Sequence, residues 1–162
     1  MMKENLLIDL SKCTGCELCV DICSSRKIGY YCIEHSRIRI LRDEQRGIFI
    51  PLVCVQCREH PCVEACPVEA IQYDDKVSIF TVDEDLCTAC GDCTEVCPYQ
   101  GIFLCAESAK KCDLCGGDPA CIRVCYPQAL RFLQVDEAEI QDALNEKTQE
   151  LARIKENKEL TS

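Results

Sequence analysis

Cys54-Val-Gln-Cys57-Arg-Glu-His-Pro-Cys62-Val-Glu-Ala-Cys66-Pro67 and, with twenty residues between Cys66 and Cys87, Cys87-Thr-Ala-Cys90-Gly-Asp-Cys93-Thr-Glu-Val-Cys97-Pro98 decide how this chain folds. In each run a tight loop offers three thiols, a fourth lies just beyond, and a proline follows. A 4Fe-4S cube needs four thiolates converging on one small volume, and a loop of this size supplies three of them. The fourth must cross from a second run, so two such runs are tied together through two clusters. One cluster is expected on Cys54, Cys57, Cys62 and Cys97, and its neighbour on Cys87, Cys90, Cys93 and Cys66. Between the runs, Ile71-Gln-Tyr73 and Val77-Ser-Ile-Phe-Thr-Val82 flank Asp74-Asp-Lys76, a hairpin pattern.

The run recurs at both ends of the chain, as Cys13-x2-Cys16-x2-Cys19-x3-Cys23 and Cys112-x2-Cys115-x5-Cys121-x3-Cys125. The tails recur too, with Ala70, Gly101 and Ala129 each four places past a last cysteine and an aliphatic after each. Such regularity marks a repeated structural unit. Sixteen of the 18 cysteines belong to it, which is four per cluster for four clusters. With the central runs satisfying each other, the outer runs pair: Cys13, Cys16, Cys19 and Cys125 on one cluster, Cys112, Cys115, Cys121 and Cys23 on another. Sequential pairing, first with second and third with fourth, is the alternative; it leaves the central hairpin spacer without a role. A strand is expected at Leu6–Leu10, and two more in the long insertion after Cys23, at Arg37–Leu41 and Gly47–Ile50. Cys32 and Cys105 stand outside the pattern and are read as small buried hydrophobes. His35 and His60 are read as surface or loop residues, so zinc, which uses similar Cys pairs, is the poorer reading.

The composition agrees. Of the 48% hydrophobic residues the cysteines are a large part; without them the figure is roughly 37%, thin for a conventional core. The start, Met1-Met-Lys-Glu-Asn5, is not followed by a long apolar run, so no secretory leader is expected. No stretch reaches the length of a membrane span. A cytoplasmic protein with reduced thiols is therefore expected, rather than a disulfide scaffold. The net charge of −10 falls to roughly −18 once four clusters of about −2 each are added. Such a body repels nucleic acid and anionic membranes and steers toward a basic docking face.

Four runs of this type, the second loosened by two residues, resemble the four-cluster iron–sulfur subunits of molybdenum and tungsten enzymes. Those serve dimethyl sulfoxide reductase, formate dehydrogenase and hydrogenase complexes. The short length and Lys111-Cys-Asp-Leu-Cys115-Gly-Gly-Asp-Pro-Ala-Cys121 look most like the small subunit of aldehyde:ferredoxin oxidoreductase-type tungsten enzymes, whose relatives reduce benzoyl-coenzyme A. The resemblance covers residues 6–133 and implies the nested pairing. Ser24 and Tyr126 depart from it, each standing where a proline would follow the last cysteine.

The fold class expected is α+β: two nested bacterial-ferredoxin-like modules around four 4Fe-4S clusters, plus a long C-terminal helix. The outer module takes residues 1–53 and 98–135, the inner module 54–97, and the helix 136–162. Asp136-Glu-Ala-Glu139 reads as a capping box. Ile140, Leu144, Leu151 and Ile154 then mark a narrow apolar stripe, interrupted by Lys147. Such a helix is expected to project and to dock on a catalytic subunit or a second copy, with ordinary surface packing or fraying as the alternative. No nucleotide loop, nucleophile–base pair, pterin or flavin motif is present. The expected role is therefore conduction, between a catalytic oxidoreductase subunit and a flavin subunit or ferredoxin, without catalysis by this chain alone. The other settings are a subunit of a hydrogenase, formate dehydrogenase or CO dehydrogenase complex, a free polyferredoxin carrier, or an assembly protein that links copies into a chain of clusters.

Overall fold

The computed structural model describes residues 3–105 and 107–160; Met1, Met2 and Ala106 of the expected outer module, and Thr161 and Ser162 of the expected helix, lie outside them. The strands are β1 (Lys3–Ile8), β2 (Arg39–Asp43), β3 (Ile48–Leu52), β4 (Ile71–Asp74), β5 (Ile79–Val82), β6 (Ile102–Leu104), β7 (Ala109–Lys111) and β8 (Leu130–Val135). The helices are α1 (Leu18–Ile28), α2 (Pro61–Glu64), α3 (Asp92–Glu95), α4 (Ala120–Val124) and α5 (Glu137–Leu160).

The strands join as four antiparallel ribbons: β1 with β8, β2 with β3, β4 with β5, and β6 with β7. The first closes the chain on itself, with Lys3 opposite Val135 and Ile8 opposite Leu130. It is held from inside by Asn5, whose fully buried amide donates to the Val55 carbonyl at 2.8 Å. The third is the hairpin expected between the central runs, with Ile71 opposite Val82. The β6–β7 hairpin has no signal in the sequence, because Cys105 and Ser108, which close it through a 3.0 Å backbone bond, look like loop residues. Of the short helices, α1 packs against α4 and α2 against α3, so the first run faces the last and the second faces the third. Mixed strands and short helices in this arrangement agree with the α+β class expected.

The C-terminal helix corrects an expectation. Its 24 residues extend about 36 Å at 1.5 Å per residue, but the helix does not present its stripe outward. Ile140 and Leu144 pack with Leu6, Val53 and Val135, and Leu151 and Ile154 with Ile50, Leu52 and Phe103. Each of the four is at most 6% exposed. The stripe that was expected to dock on a partner or a second copy is covered by the chain's own β1 and β3 surfaces. The misjudged residue is Lys147. Positions 140, 144, 147, 151 and 154 step by four and three, one face of a helix, and Lys147 fills the middle of it at 1% exposure. The capping box is present: Glu139 N–H donates to the Asp136 carboxylate at 2.9 Å, and Asp136 N–H to the Glu139 carboxylate at 3.0 Å.

Candidate iron–sulfur centres

All four runs turn in the same way. The residue before each second cysteine is left-handed: Gly15, Gln56, Ala89 and Leu114 have φ of 68°, 53°, 53° and 51°. Only one is glycine, so three carry a steric cost of order 1–3 kcal/mol that persists only where the surroundings dictate it. The turn folds a Cys-x2-Cys segment back so that both thiols face one centre. A short helix then delivers the third cysteine, Cys19 on α1, Cys62 on α2, Cys93 on α3 and Cys121 on α4.

The fourth thiols are fixed by backbone N–H groups. Ala70 donates to Cys66 Sγ at 3.2 Å, Gly101 to Cys97 at 3.4 Å and Leu130 to Cys125 at 3.3 Å. The recurring tails are the turns that make these bonds, each with a left-handed residue at Glu69, Gln100 or Gln128. The small residues are needed there. Ala70 and Ala129 are at most 2% exposed, and a Cβ on Gly101 would stand 2.8 Å from Cys54 Cα. Cys23, which lacks such a tail, instead receives the Arg37 N–H at 3.3 Å, delivered by the insertion. Cys87 accepts from Ala109 N–H at 3.3 Å, the bond that gives the β6–β7 hairpin its place. Such bonds to sulfur are among the levers that set a cluster's potential.

The thiols gather in four groups. Burial pushes the Cys19 thiol up to about 12, and the neighbouring Cys13, Cys125 and Cys16 add to the shift. Burial likewise raises Cys121, with Cys112, Cys23 and Cys115 beside it. Cys62 is pushed up to about 12 by burial, against the opposing pull of Lys111, with Cys54, Cys57 and Cys97 around it. Cys93 is pushed up to about 11 by burial, then by Cys87, Cys90 and Cys66. The groups also lie in a row: Cys19 is close enough to Cys121 to act on it through charge, as is Cys54 to Cys112, while Cys62, Cys66, Cys87 and Cys93 share one apolar patch. Cys54, Cys57, Cys62 and Cys97 line one cavity together with Lys111 and Tyr99.

Four thiols around one point, at least one of them buried in each group, fit a polynuclear iron cluster: binding displaces protons, and the positive core then holds the thiolates. Among the described residues, no three Cys, His, Asp or Glu side chains close on a single ion. A cube spreads its bonds over four irons and has no such need. All 18 cysteines are free thiols. Cys105 is buried, as expected, whereas Cys32 is half-buried with its Sγ 3.3 Å from His35 Nδ1. His60 immediately precedes α2, with φ of 44°, and lies against Phe80 at 4.5 Å between ring centroids.

Tight turns, repeated thiol quartets and N–H donors aimed at sulfur define an iron–sulfur protein of the ferredoxin class. The chain belongs to the 4Fe-4S dicluster domain family, whose model matches residues 45–135; a 4Fe-4S binding domain matches residues 6–24. It is 42% identical, over 75% of its length and 70% of the relative's, to the polyferredoxin-like subunit of an aliphatic sulfonate oxidoreductase of Pyrococcus furiosus. It is 31% identical, over 88% and 81%, to the thiosulfate reductase electron transfer subunit PhsB of Salmonella typhi. Among solved structures, a chain of the active-site complex BamBC of benzoyl coenzyme A reductase with zinc shares the fold. Its TM-score is 0.50 at 24% identity, over 90% of both chains.

Proposed function

We propose that the chain carries four 4Fe-4S clusters and conducts electrons between a catalytic oxidoreductase subunit and a second redox partner, without catalysis of its own. The ligand sets are Cys13, Cys16, Cys19 and Cys125; Cys112, Cys115, Cys121 and Cys23; Cys54, Cys57, Cys62 and Cys97; and Cys87, Cys90, Cys93 and Cys66. The outer module is residues 1–53 and 98–135, and the inner module residues 54–97. The single observation that carries this reading is that the third cysteine of each turn lies beside the fourth cysteine of its partner run, Cys19 by Cys125, Cys121 by Cys23, Cys62 by Cys97 and Cys93 by Cys66. A cluster so held stores one electron reversibly, and a row of them conducts. The protein's part is to hold the thiolates, exclude water and donate N–H groups to sulfur.

The ends of the row differ from its middle. Cys16 and Cys90 are the exposed cysteines, one in each end quartet. Leu18 is exposed near Cys16, and Leu86 and Leu104 are exposed near Cys90. These are the places where partners would exchange electrons. The catalytic partner proposed is of the tungsten aldehyde oxidoreductase type, which the cysteine pattern resembles; both relatives above are subunits of oxidoreductases. A flavin subunit or ferredoxin would serve the other end, in the reducing cytoplasm.

Anaerobically reconstituted protein should hold about sixteen irons and sixteen sulfides per chain, four per cube. Saturation at eight irons, or loading with zinc, would sink the four-cluster reading. For the ligand sets, Cys66→Ser should damage the cluster of Cys87, Cys90 and Cys93; damage instead to that of Cys54, Cys57 and Cys62 rejects the pairing. Native purification tests the setting: co-elution with a larger catalytic chain is expected, and a lone 18.3 kDa species would make it a free carrier.

A further inference from the structure

Among the described residues, two buried ammonium groups that meet no carboxylate flank one quartet. Lys147 is 1% exposed and Lys111 is 2% exposed. Lys147 Nζ donates to the Val53 carbonyl at 3.4 Å, one residue from Cys54. Lys111 Nζ donates to Gln56 Oε1 at 2.7 Å and to the Phe80 carbonyl at 2.6 Å. Among the described residues neither meets a carboxylate; all their oxygen partners are neutral. The other cations near the thiols do meet carboxylates. Lys27 pairs with Asp113 at 2.6 Å, Lys110 with Glu84 at 2.6 Å, Arg37 with Glu84 at 3.1 Å and Arg42 with Glu17 at 2.7 Å.

The positive fields of the two lysines fall on different sulfurs of the same quartet. Lys111 acts on Cys62, and Lys147 interacts with Cys97 and Cys54. A buried cation without a counter-ion is costly, and Lys147 occupies a position that a leucine would fill in the repeat of α5. A strongly negative group close by removes that cost. Four thiolates on an oxidised cube supply about −2 of charge, and about −3 after one-electron reduction. We infer that Lys147 and Lys111 make the cluster of Cys54, Cys57, Cys62 and Cys97 the most easily reduced centre of the chain. Lys147 is a positioning residue acting through charge: it binds no iron and donates to no ligand sulfur. The electron it favours comes from a reduced neighbouring cluster, which is oxidised by one electron in the exchange. The helix α5 thereby sets a potential, and electrons entering at either end settle at this inner position before leaving.

This inference rests on the reading that those four thiols hold a cluster, and the test separates the two. Redox titration of the reconstituted full chain with a low-potential chemical reductant, followed by electron paramagnetic resonance, reads each cluster. The signal lost in Cys57→Ser identifies the centre in question. In Lys147→Gln the ratio of reduced to oxidised clusters at that centre should fall about tenfold at fixed potential, about 59 mV for a one-electron couple. The other three centres should not move, and Lys147→Arg should restore the ratio. An unchanged ratio with full iron content overturns the inference while leaving the cluster reading intact; iron content below four cubes in the unaltered protein overturns the cluster reading itself. If Lys147→Gln fails to load that cluster, Lys111→Gln reads the same signal. No fall there overturns the inference.

Discussion

The four cysteine runs and helix α5 meet at Val53 and Cys54, yet they are ordered by different forces. The runs contain short helices of four or five residues besides α1, far below the length at which a helix persists in water. Their left-handed Gln56, Ala89 and Leu114 are strained, and their thiols, where raised, are raised by burial. Apart from the few apolar residues they contribute to the core, Val20, Val55 and Leu114 among them, little in them favours the folded form before metal binds. In α5 the reverse holds: the cap is formed, the stripe is buried, and an apolar face explains the fold without a cofactor. A chain can thus combine a region whose order is metal binding with one whose order is hydrophobic, and join them at one lysine.

Removing iron breaks this comparison most sharply. Binding free energy supplies folding free energy in small metal domains, so the cluster-free chain should lose the packing of α1 on α4 and of α2 on α3. Near-ultraviolet circular dichroism and amide exchange would read this. A cooperative thermal transition in the apo protein, with protected amides in residues 54–97, would show that the runs fold by themselves.

Truncation after Val135 ranks next. It removes Ile140, Leu144, Leu151 and Ile154, worth about 1.5–3 kcal/mol each when fully buried, as an upper bound. That sum is comparable with the whole stability of a small protein, about 5–15 kcal/mol. It also uncovers Leu6, Ile50 and Leu52, packed beneath the helix. The truncated protein should bind less than sixteen irons and lose thermal stability, rather than merely fail to meet a partner. Full iron loading with an unchanged transition would return α5 to the role of a surface element.

Gly101→Ala gives a smaller, more local effect. Its Cβ would stand 2.8 Å from Cys54 Cα and N and 3.0 Å from Val53 C, all backbone atoms that cannot turn aside. Overpacking of this kind costs about 1–3 kcal/mol. The damage should appear in the spectrum of the cluster of Cys54, Cys57, Cys62 and Cys97 alone. At Gly116, where an added Cβ meets nothing within 4 Å, only the φ of 73° opposes the same substitution.

The difference between the regions also decides what could be read from the amino acids. Cysteine spacing is covalent chemistry written in one dimension, so the three-thiol runs and the β4–β5 hairpin were legible, as were Ala70, Gly101 and Ala129. The left-handed turns before Cys57, Cys90 and Cys115 were not, because Gln56, Ala89 and Leu114 carry no preference for that conformation. The N–H donors Arg37 and Ala109 were not either, since each reaches its sulfur from 14 or 22 residues away. Lys147 was visible but misread. Its place in the four–three repeat marked a buried face, and its charge was taken as an interruption because the negative cluster that would accommodate it leaves no mark in the helix's own sequence.

The smallest effect concerns the cap that starts α5. Asp136 accepts from Glu139 N–H and is answered by the Glu139 carboxylate, satisfying two backbone donors that the helix itself leaves open. Both side chains are exposed, so their removal creates no cavity and disturbs no thiol. Asp136→Ala should therefore cost about 1 kcal/mol, which for a chain of this size lowers the transition by about 2–4 °C. Asp136→Asn should keep most of that stability, because the asparagine amide oxygen accepts the same bond. Iron content and the four cluster spectra should stay as they are in both variants. A change in any cluster on Asp136→Ala would mean that the order of α5 reaches the runs from its first turn, and the hydrophobic and metal-held regions would then be one cooperative unit.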